Sequence, residues 1–455
     1  MALSFFPRGG SSQVARYLAR FLPRAGWDVT VVAGSLGAPG DPTHAETFFG
    51  ADAEVRAVDY TEARDAPDPL AADPPFQPSY EERPGAPDRV YACVDDGAYE
   101  RLVGAWGREL AAAGAAEADV LHLHHLTPMN EAAERSFPHV PRVGHLHGTE
   151  LLMLGAIDEG PPPGWLHAAA WAERMRRWAQ RCERLLVLSP DAVRRVPDLL
   201  GVEPGRVVAA ANGFDPEIFD RRPASPEDRV ALWRHWLVEE PRGWDESGVE
   251  GSVAYAEDEL GAFKAGAPVV LYVGRYTEVK RLPLLVRAHA RARERSGVRF
   301  PLVLLGGHPG EWEGAHPLAV AREAGAEDLF LAGWHGHEDL PDALNAADLL
   351  VLPSVREQFG QVLVEGMACG LPAIAVDAHG PATIVDDGET GWLVPADDEH
   401  AMGEAIVAAV NDDAERSRRG RAAYDAAWAR YSWPALAEGV ASVYEEARAA
   451  RAGGL

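Results

Sequence analysis

Two cations, Arg275 and Lys280, stand five residues apart in the stretch VVLYVGRYTEVKRLP. Gly274 and Arg275 end an apolar run, and Pro283 suits the first turn of a helix. Cations beside a helix start, at the end of a buried strand, make a site for a diphosphate. The guanidinium and ammonium pair with phosphate oxygens, and the helix start adds unpaired N–H groups. The bland alternative is solvated surface charge. Only two lysines occur in the chain, Lys264 and Lys280, while arginine fills the general cation role, and a lysine kept against that bias favours function.

A second constellation is SVREQFGQVLVEGMACGLP. Glu357 precedes a helix that Gly370 and Pro372 end, and Gln358, Phe359 and Gly360 put backbone N–H groups at its start. Glu365 sits inside an apolar run, where a carboxylate is costly unless something bonds it; vicinal sugar hydroxyls would serve. Near the amino end Gly9, Gly10 and Ser11 open a helical pattern, and paired glycines allow close backbone approach to a ligand. Histidines cluster at two strand ends: His122, His124 and His125 at one, His145 and His147 at the next, before Gly148-Thr149-Glu150. Metal binding is conceivable there, although a lone strand-end histidine is more often structural. His335 and His337, in a glycine-containing loop, are assigned no role. The signatures of dinucleotide, P-loop, serine-hydrolase and zinc-protease sites are absent from the sequence.

The elements that must carry these residues alternate. Apolar runs predict strands at 2–6, 28–33, 119–123, 142–147, 185–188 and 206–210, with helices between them. Residues 61–90 read as a long surface loop. Strands resume at 268–273, 301–305, 328–331, 348–352, 372–376 and 391–394, again interleaved with helices, and an amphipathic helix follows Trp433-Pro434. Strand–helix alternation predicts two doubly wound parallel sheets, which bind ligands at strand C-termini.

Composition agrees with a folded α/β protein: 47% hydrophobic and 25% charged residues. The formal net charge of −27 excludes a basic stripe for nucleic acid or an anionic membrane, and no apolar run reaches the roughly 18 residues of a membrane span. Cys93, Cys182 and Cys369 lie far apart and read as reduced cytosolic thiols.

Taken in order, FPRGGSSQVARYLARFLPRAGWDVTVV, HLHGTE, VLSPDAV, ANGFDPEIF, YVGRYTEVKRL and LPSVREQFGQVLVEGMACGLPAIAVDAHGPATIVDDGETGWLV resemble the GT4-type family of retaining glycosyltransferases with the GT-B fold. Glu357 and Glu365 supply its E-x7-E. The resemblance implies that Arg275 and Lys280 hold the diphosphate of a sugar nucleotide, helped by the amides after Gly9-Gly10 and Ser11. It implies that Glu365 takes the ribose hydroxyls, that Glu357 with the Phe359 and Gly360 amides holds the donor sugar, and that His147 faces the reacting side. No metal and no cofactor are implied, and reaction would be front-face displacement with retention. The family often has glycine after the motif lysine, where this chain has Arg281. The first strand looks about four residues short before Pro7 when set against the family, which implies a truncated strand or a start codon upstream.

The expected architecture is α/β of GT-B type, two Rossmann-like domains facing across a cleft: 1–215 with a crossing helix at 434–455 for the acceptor, 216–265 as linker and acidic insertion, and 266–433 for the nucleotide sugar. The tryptophans of the insertion, Trp233, Trp236 and Trp244, suit either a lid or a surface decoration. The expected function is a cytoplasmic, metal-independent transferase. Its donor would be a UDP-sugar first and a GDP-sugar second, and its acceptor a small soluble molecule, polar or cationic, as in cofactor-thiol or secondary-metabolite biosynthesis. No nucleic-acid or stable membrane partner is expected. A sugar phosphorylase or sugar-phosphate synthase, and a non-catalytic nucleotide-sugar binder, are the rivals.

Overall fold

The computed structural model describes residues 1–7, 9–82, 88–222, 224–357 and 359–453. The chain divides into two compact units: Met1–Asn212 with Trp433–Leu455, and Gly213–Ser432.

The first unit holds β1 (Ala2–Leu3), β2 (Thr30–Ser35), β3 (Glu54–Asp59), β4 (Leu121–His124), β5 (Arg142–Leu146), β6 (Arg184–Val187) and β7 (Val207–Ala209). They form one parallel sheet in the order β3-β2-β1-β4-β5-β6-β7. Apolar runs such as TVVA and RLLV are buried on both faces, as parallel sheets covered by helices require. β1 has two residues rather than five, and the Met1 ammonium donates to the Thr30 carbonyl at 2.9 Å. The sequence reading missed β3, whose EVRAVD pattern is that of a half-exposed edge strand. It also missed the helix Thr149–Glu159. The final helix, Trp433–Ala452, packs on this unit: Trp433 stacks on Tyr17 at 5.3 Å, and Tyr444 meets the edge of Trp27 at 4.9 Å.

The second unit holds β8 (Val270–Val273), β9 (Leu302–Leu305), β10 (Leu329–Gly333), β11 (Leu349–Leu352), β12 (Ala373–Val376) and β13 (Gly391–Val394), in the parallel order β10-β9-β8-β11-β12-β13. Each sheet reverses its winding once, between β1 and β4 and between β8 and β11.

Residues 216–265, expected as linker and insertion, fold with the second unit. Ser225 and Asp228 cap the helix Pro226–Arg234 reciprocally. Trp233 and Trp244 are fully buried; their indole N–H groups donate to the carbonyls of Ala346 at 3.3 Å and Gly307 at 3.0 Å. These tryptophans are core, which fixes the segment to the body of its unit. Among the described residues no helix is long and apolar enough to cross a membrane.

Candidate active site

In the second unit the loops leaving β8 and β11 are joined by a backbone hydrogen bond from Val355 to the Val279 carbonyl, 3.0 Å. That contact brings the two loops together, and the Lys280 ammonium pairs with the Glu357 carboxylate. Both side chains stay partly open, at 17% and 20% exposure, so the pair is reachable and can be exchanged for a ligand. Arg275, at the end of β8, is exposed, and its carbonyl accepts from the Tyr272 hydroxyl at 2.8 Å.

Beyond Glu357 the chain turns into the helix Gln361–Ala368 through Gly360, whose φ of 105° is a left-handed conformation that glycine accepts readily. Phe359 is buried against the edge of Tyr431 at 6.1 Å. Gln358 lies outside the described residues. Glu365 is buried, and one oxygen takes hydrogen bonds from the Gln361 amide at 3.0 Å and shares one with His337 Nε2 at 3.1 Å. The Gln361 amide also donates to the Gly213 carbonyl at 2.7 Å, which orients it. The cost of burying Glu365 is thus met from inside the protein, with lone pairs left over for a ligand.

Arg281 adopts φ 52°, the left-handed geometry that the family's usual glycine takes freely. Its guanidinium bonds Asp397 at 2.5 Å, holding a backbone arrangement that costs a non-glycine residue about 1–2 kcal/mol.

Two residues of this cluster carried no sequence signal. His337 was passed over in its loop. Gly380 donates its N–H to the Glu357 carbonyl at 3.0 Å, and a Cβ there would lie 2.2 Å from the Phe359 carbonyl oxygen. Its φ is ordinary, so the need for glycine is purely one of space.

In the first unit, Gly9 takes φ 87° and Gly10 starts the helix Gly10–Phe21; both are exposed, with nothing within 4 Å of a Cβ built on either. Ser11 is half-buried in the first turn. The helix N-terminus is therefore open to an anion.

The strand-end histidines form two hydrogen-bonded pairs. His122 Nε2 lies 3.2 Å from His145 Nδ1, and His124 Nδ1 lies 2.9 Å from His147 Nε2. The pairs lie face to face: His122 over His124 at 4.5 Å and 11°, His145 over His147 at 4.6 Å and 20°. His122 Nδ1 also shares a hydrogen bond of 2.5 Å with the Tyr444 hydroxyl. Only His147 is part-exposed. Burial holds His122, His124 and His147 well below the usual imidazole range, with further depression from their neighbours, and lowers His145 to about 3. The four rings are neutral at pH 7. Glu150 is fully buried; burial raises its carboxyl, but His125 and the His147 N–H, 2.9 Å away, outweigh that and keep it ionised. Gly148, at φ 98°, turns the chain from His147 into the next helix.

Of the residues singled out in the sequence, Lys280, Glu357, Phe359, Gly360 and Glu365 therefore share one edge of the second unit with Arg275. Gly9, Gly10 and Ser11 share the amino-terminal helix start of the first, and His147 stands among its histidines.

Residues 8–218 match the protein family described as Glycosyltransferase Family 4, and residues 257–426 match that described as Glycosyl transferases group 1. Among curated proteins the chain is similar to the D-inositol 3-phosphate glycosyltransferases of Stackebrandtia nassauensis (29% identity, 73% of this chain, 69% of that one) and Kineococcus radiotolerans (31%, 68% and 66%). The same enzyme of Acidothermus cellulolyticus is 30% identical over 73% of this chain and 68% of its own. Among solved structures, sucrose-phosphate synthase from Thermosynechococcus elongatus superposes with a TM-score of 0.64 at 20% identity, covering 97% of this chain and 94% of that one. Anabaena Alr3699/HepE in complex with UDP gives 0.65 at 18%, covering 97% and 98%.

Proposed function

We propose, from the premise that this chain belongs to the GT4-type glycosyltransferases of the GT-B fold and is a glycosyl-transferring enzyme, that it moves a hexose-type sugar from a nucleotide diphosphate to a small soluble acceptor with retention. The observation that carries the reading is the Lys280–Glu357 pair between the β8 and β11 loops, with Arg275 at the end of β8 and the buried Glu365 in the helix that follows Glu357. Lys280 and Arg275 neutralise the charge that grows on the diphosphate as the bond to the anomeric carbon breaks. Glu357 and the Phe359 and Gly360 amides hold the sugar hydroxyls, and Glu365 the ribose. The acceptor oxygen bonds the anomeric carbon on the face the diphosphate leaves, and its proton passes to the departing phosphate oxygen. The cations do the work that a metal does elsewhere in phosphate chemistry, so the transfer step requires none.

UDP is the first choice of nucleotide and GDP the second. The curated relatives are named for an inositol phosphate acceptor, which supports a small polyol over a lipid and over the cationic metabolite that net charge suggests.

Calorimetric titration of UDP, GDP, ADP and dTDP without divalent ions tests the donor site. One nucleotide should bind in the micromolar range, and Lys280→Ala should weaken it roughly 10- to 150-fold, the worth of one charge-assisted contact. Failure of all four to bind, or indifference to Lys280→Ala, overturns the reading.

A further inference from the structure

We propose that His122, His124 and His145 form a transition-metal site between β4 and β5 of the first unit, for a borderline divalent cation of the zinc, cobalt or nickel class. Each ring can offer a nitrogen within 4.8 Å of the other two, and all three are at most 2% exposed. Imidazole-only sets select such ions over calcium or magnesium, which need oxygen.

Three observations converge. The Nε2 atoms of His124 and His145 are buried and have no hydrogen-bond partner, a state that native proteins rarely leave unexplained. Two rings have the outer partner that ligating histidines normally show: His122 Nδ1 with the Tyr444 hydroxyl, and His124 Nδ1 with His147. Finally, a cavity of about 350 Å³ lined by Met1, Trp27, Thr30, Val120, His122 and Tyr444 reaches one of the three rings, His122.

Metal–nitrogen bonds of roughly 2.0–2.1 Å require the three nitrogens to close in from their present spread. Lone pairs lie in the ring planes, and His122 and His124 are parallel within 11°, so at least one ring must turn out of the stack on binding. The buried Glu150 carboxylate beside His125 supplies a compensating negative charge. The ion would also fix proton positions. With its Nε2 on the metal, His124 carries its proton on Nδ1 and donates to His147 Nε2, which leaves His147 protonated on Nδ1. These histidines belong to the first unit, and the diphosphate-binding cations to the second.

The test uses full-length, untagged protein, stripped with chelator and free of nucleotide. Titration with Co2+ should give one ion per chain with the visible absorption of a low-symmetry cobalt site, displaced by Zn2+, and Zn2+ should raise the melting midpoint. His124→Gln and His145→Gln should each abolish both signals. Should those variants fail to fold, Tyr444→Phe leaves every ligand in place and removes only the outer partner of His122, and should weaken binding about 10- to 100-fold. Less than one cobalt per chain on the wild-type protein overturns the proposal, as does binding that survives all three substitutions. Nucleotide calorimetry on the same samples reads the donor site independently.

Discussion

Both units reverse their strand order once; the second puts its candidate residues on and beyond the loops leaving that point, the first has its histidines in and just after β4 and β5, and the two sets differ in chemistry. At β8 and β11 the residues are charged and partly open: Lys280 pairs with Glu357, and Arg275 is exposed. At β4 and β5 they are neutral and buried: four imidazoles held uncharged by burial, with only His147 part-exposed. An open ion pair can trade its partner for a polyanion at little desolvation cost. A buried neutral array cannot, and only the part-exposed His147 is in reach of an uncharged hydroxyl. One topology thus supports two kinds of recognition, and side-chain charge decides which.

The comparison can be broken first with acid. His289, fully buried in the helix Leu282–Ser296 of the second unit, is lowered by burial to about 4. Its folded value lies below its unfolded one, so its contribution is intact above about pH 6.5 and is lost as pH falls toward 4. The loss is up to about 3 kcal/mol. His289→Gln should flatten the fall of the urea midpoint over that range. An unchanged slope would assign acid sensitivity to other buried histidines instead. Next, Gly380→Ala should push the Phe359 carbonyl aside and disturb the Glu357 loop, at roughly 1–3 kcal/mol. We expect kcat/KM to fall about 5- to 150-fold and the melting midpoint to drop by a few degrees; unimpaired turnover would mean the loop position is not needed. The smallest effect belongs to the neutral end. His147→Ala removes an uncharged hydrogen-bonding group worth about 0.5–1.5 kcal/mol, so kcat/KM should fall only about 2- to 12-fold. A loss as large as that of Lys280→Ala would show that His147 works as a charge.

Much of this was readable from local pattern. Twelve of the thirteen strands follow from apolar runs, and Lys280, Glu357 and Glu365 stand out because charge beside or within such a run needs a reason. What escaped depends on distant contacts. Gly380 matters through one carbonyl more than twenty residues away, and His337 through a helix beyond two further elements. Trp233 and Trp244, in acidic, glycine-bearing surroundings, gave no hint that they were core. β3 escaped because an edge strand exposes one side and loses its continuous apolar run. The two-residue β1 shows the opposite limit: its apolar run continues to Phe6, but the backbone leaves the sheet after Leu3.

The final helix completes the first unit by covering Tyr17, Leu18 and Phe21 and bonding His122 through Tyr444. On a ribosome, residues 1–212 emerge long before that cover exists, and the whole second unit is made in between. The second unit is continuous in sequence and has all its strands at hand, so it can close first. The amino-terminal half must wait with an apolar face uncovered until the last helix arrives. Vectorial synthesis therefore makes this half the one most in need of a chaperone, and makes Trp433–Ala452 the segment whose arrival ends that exposure.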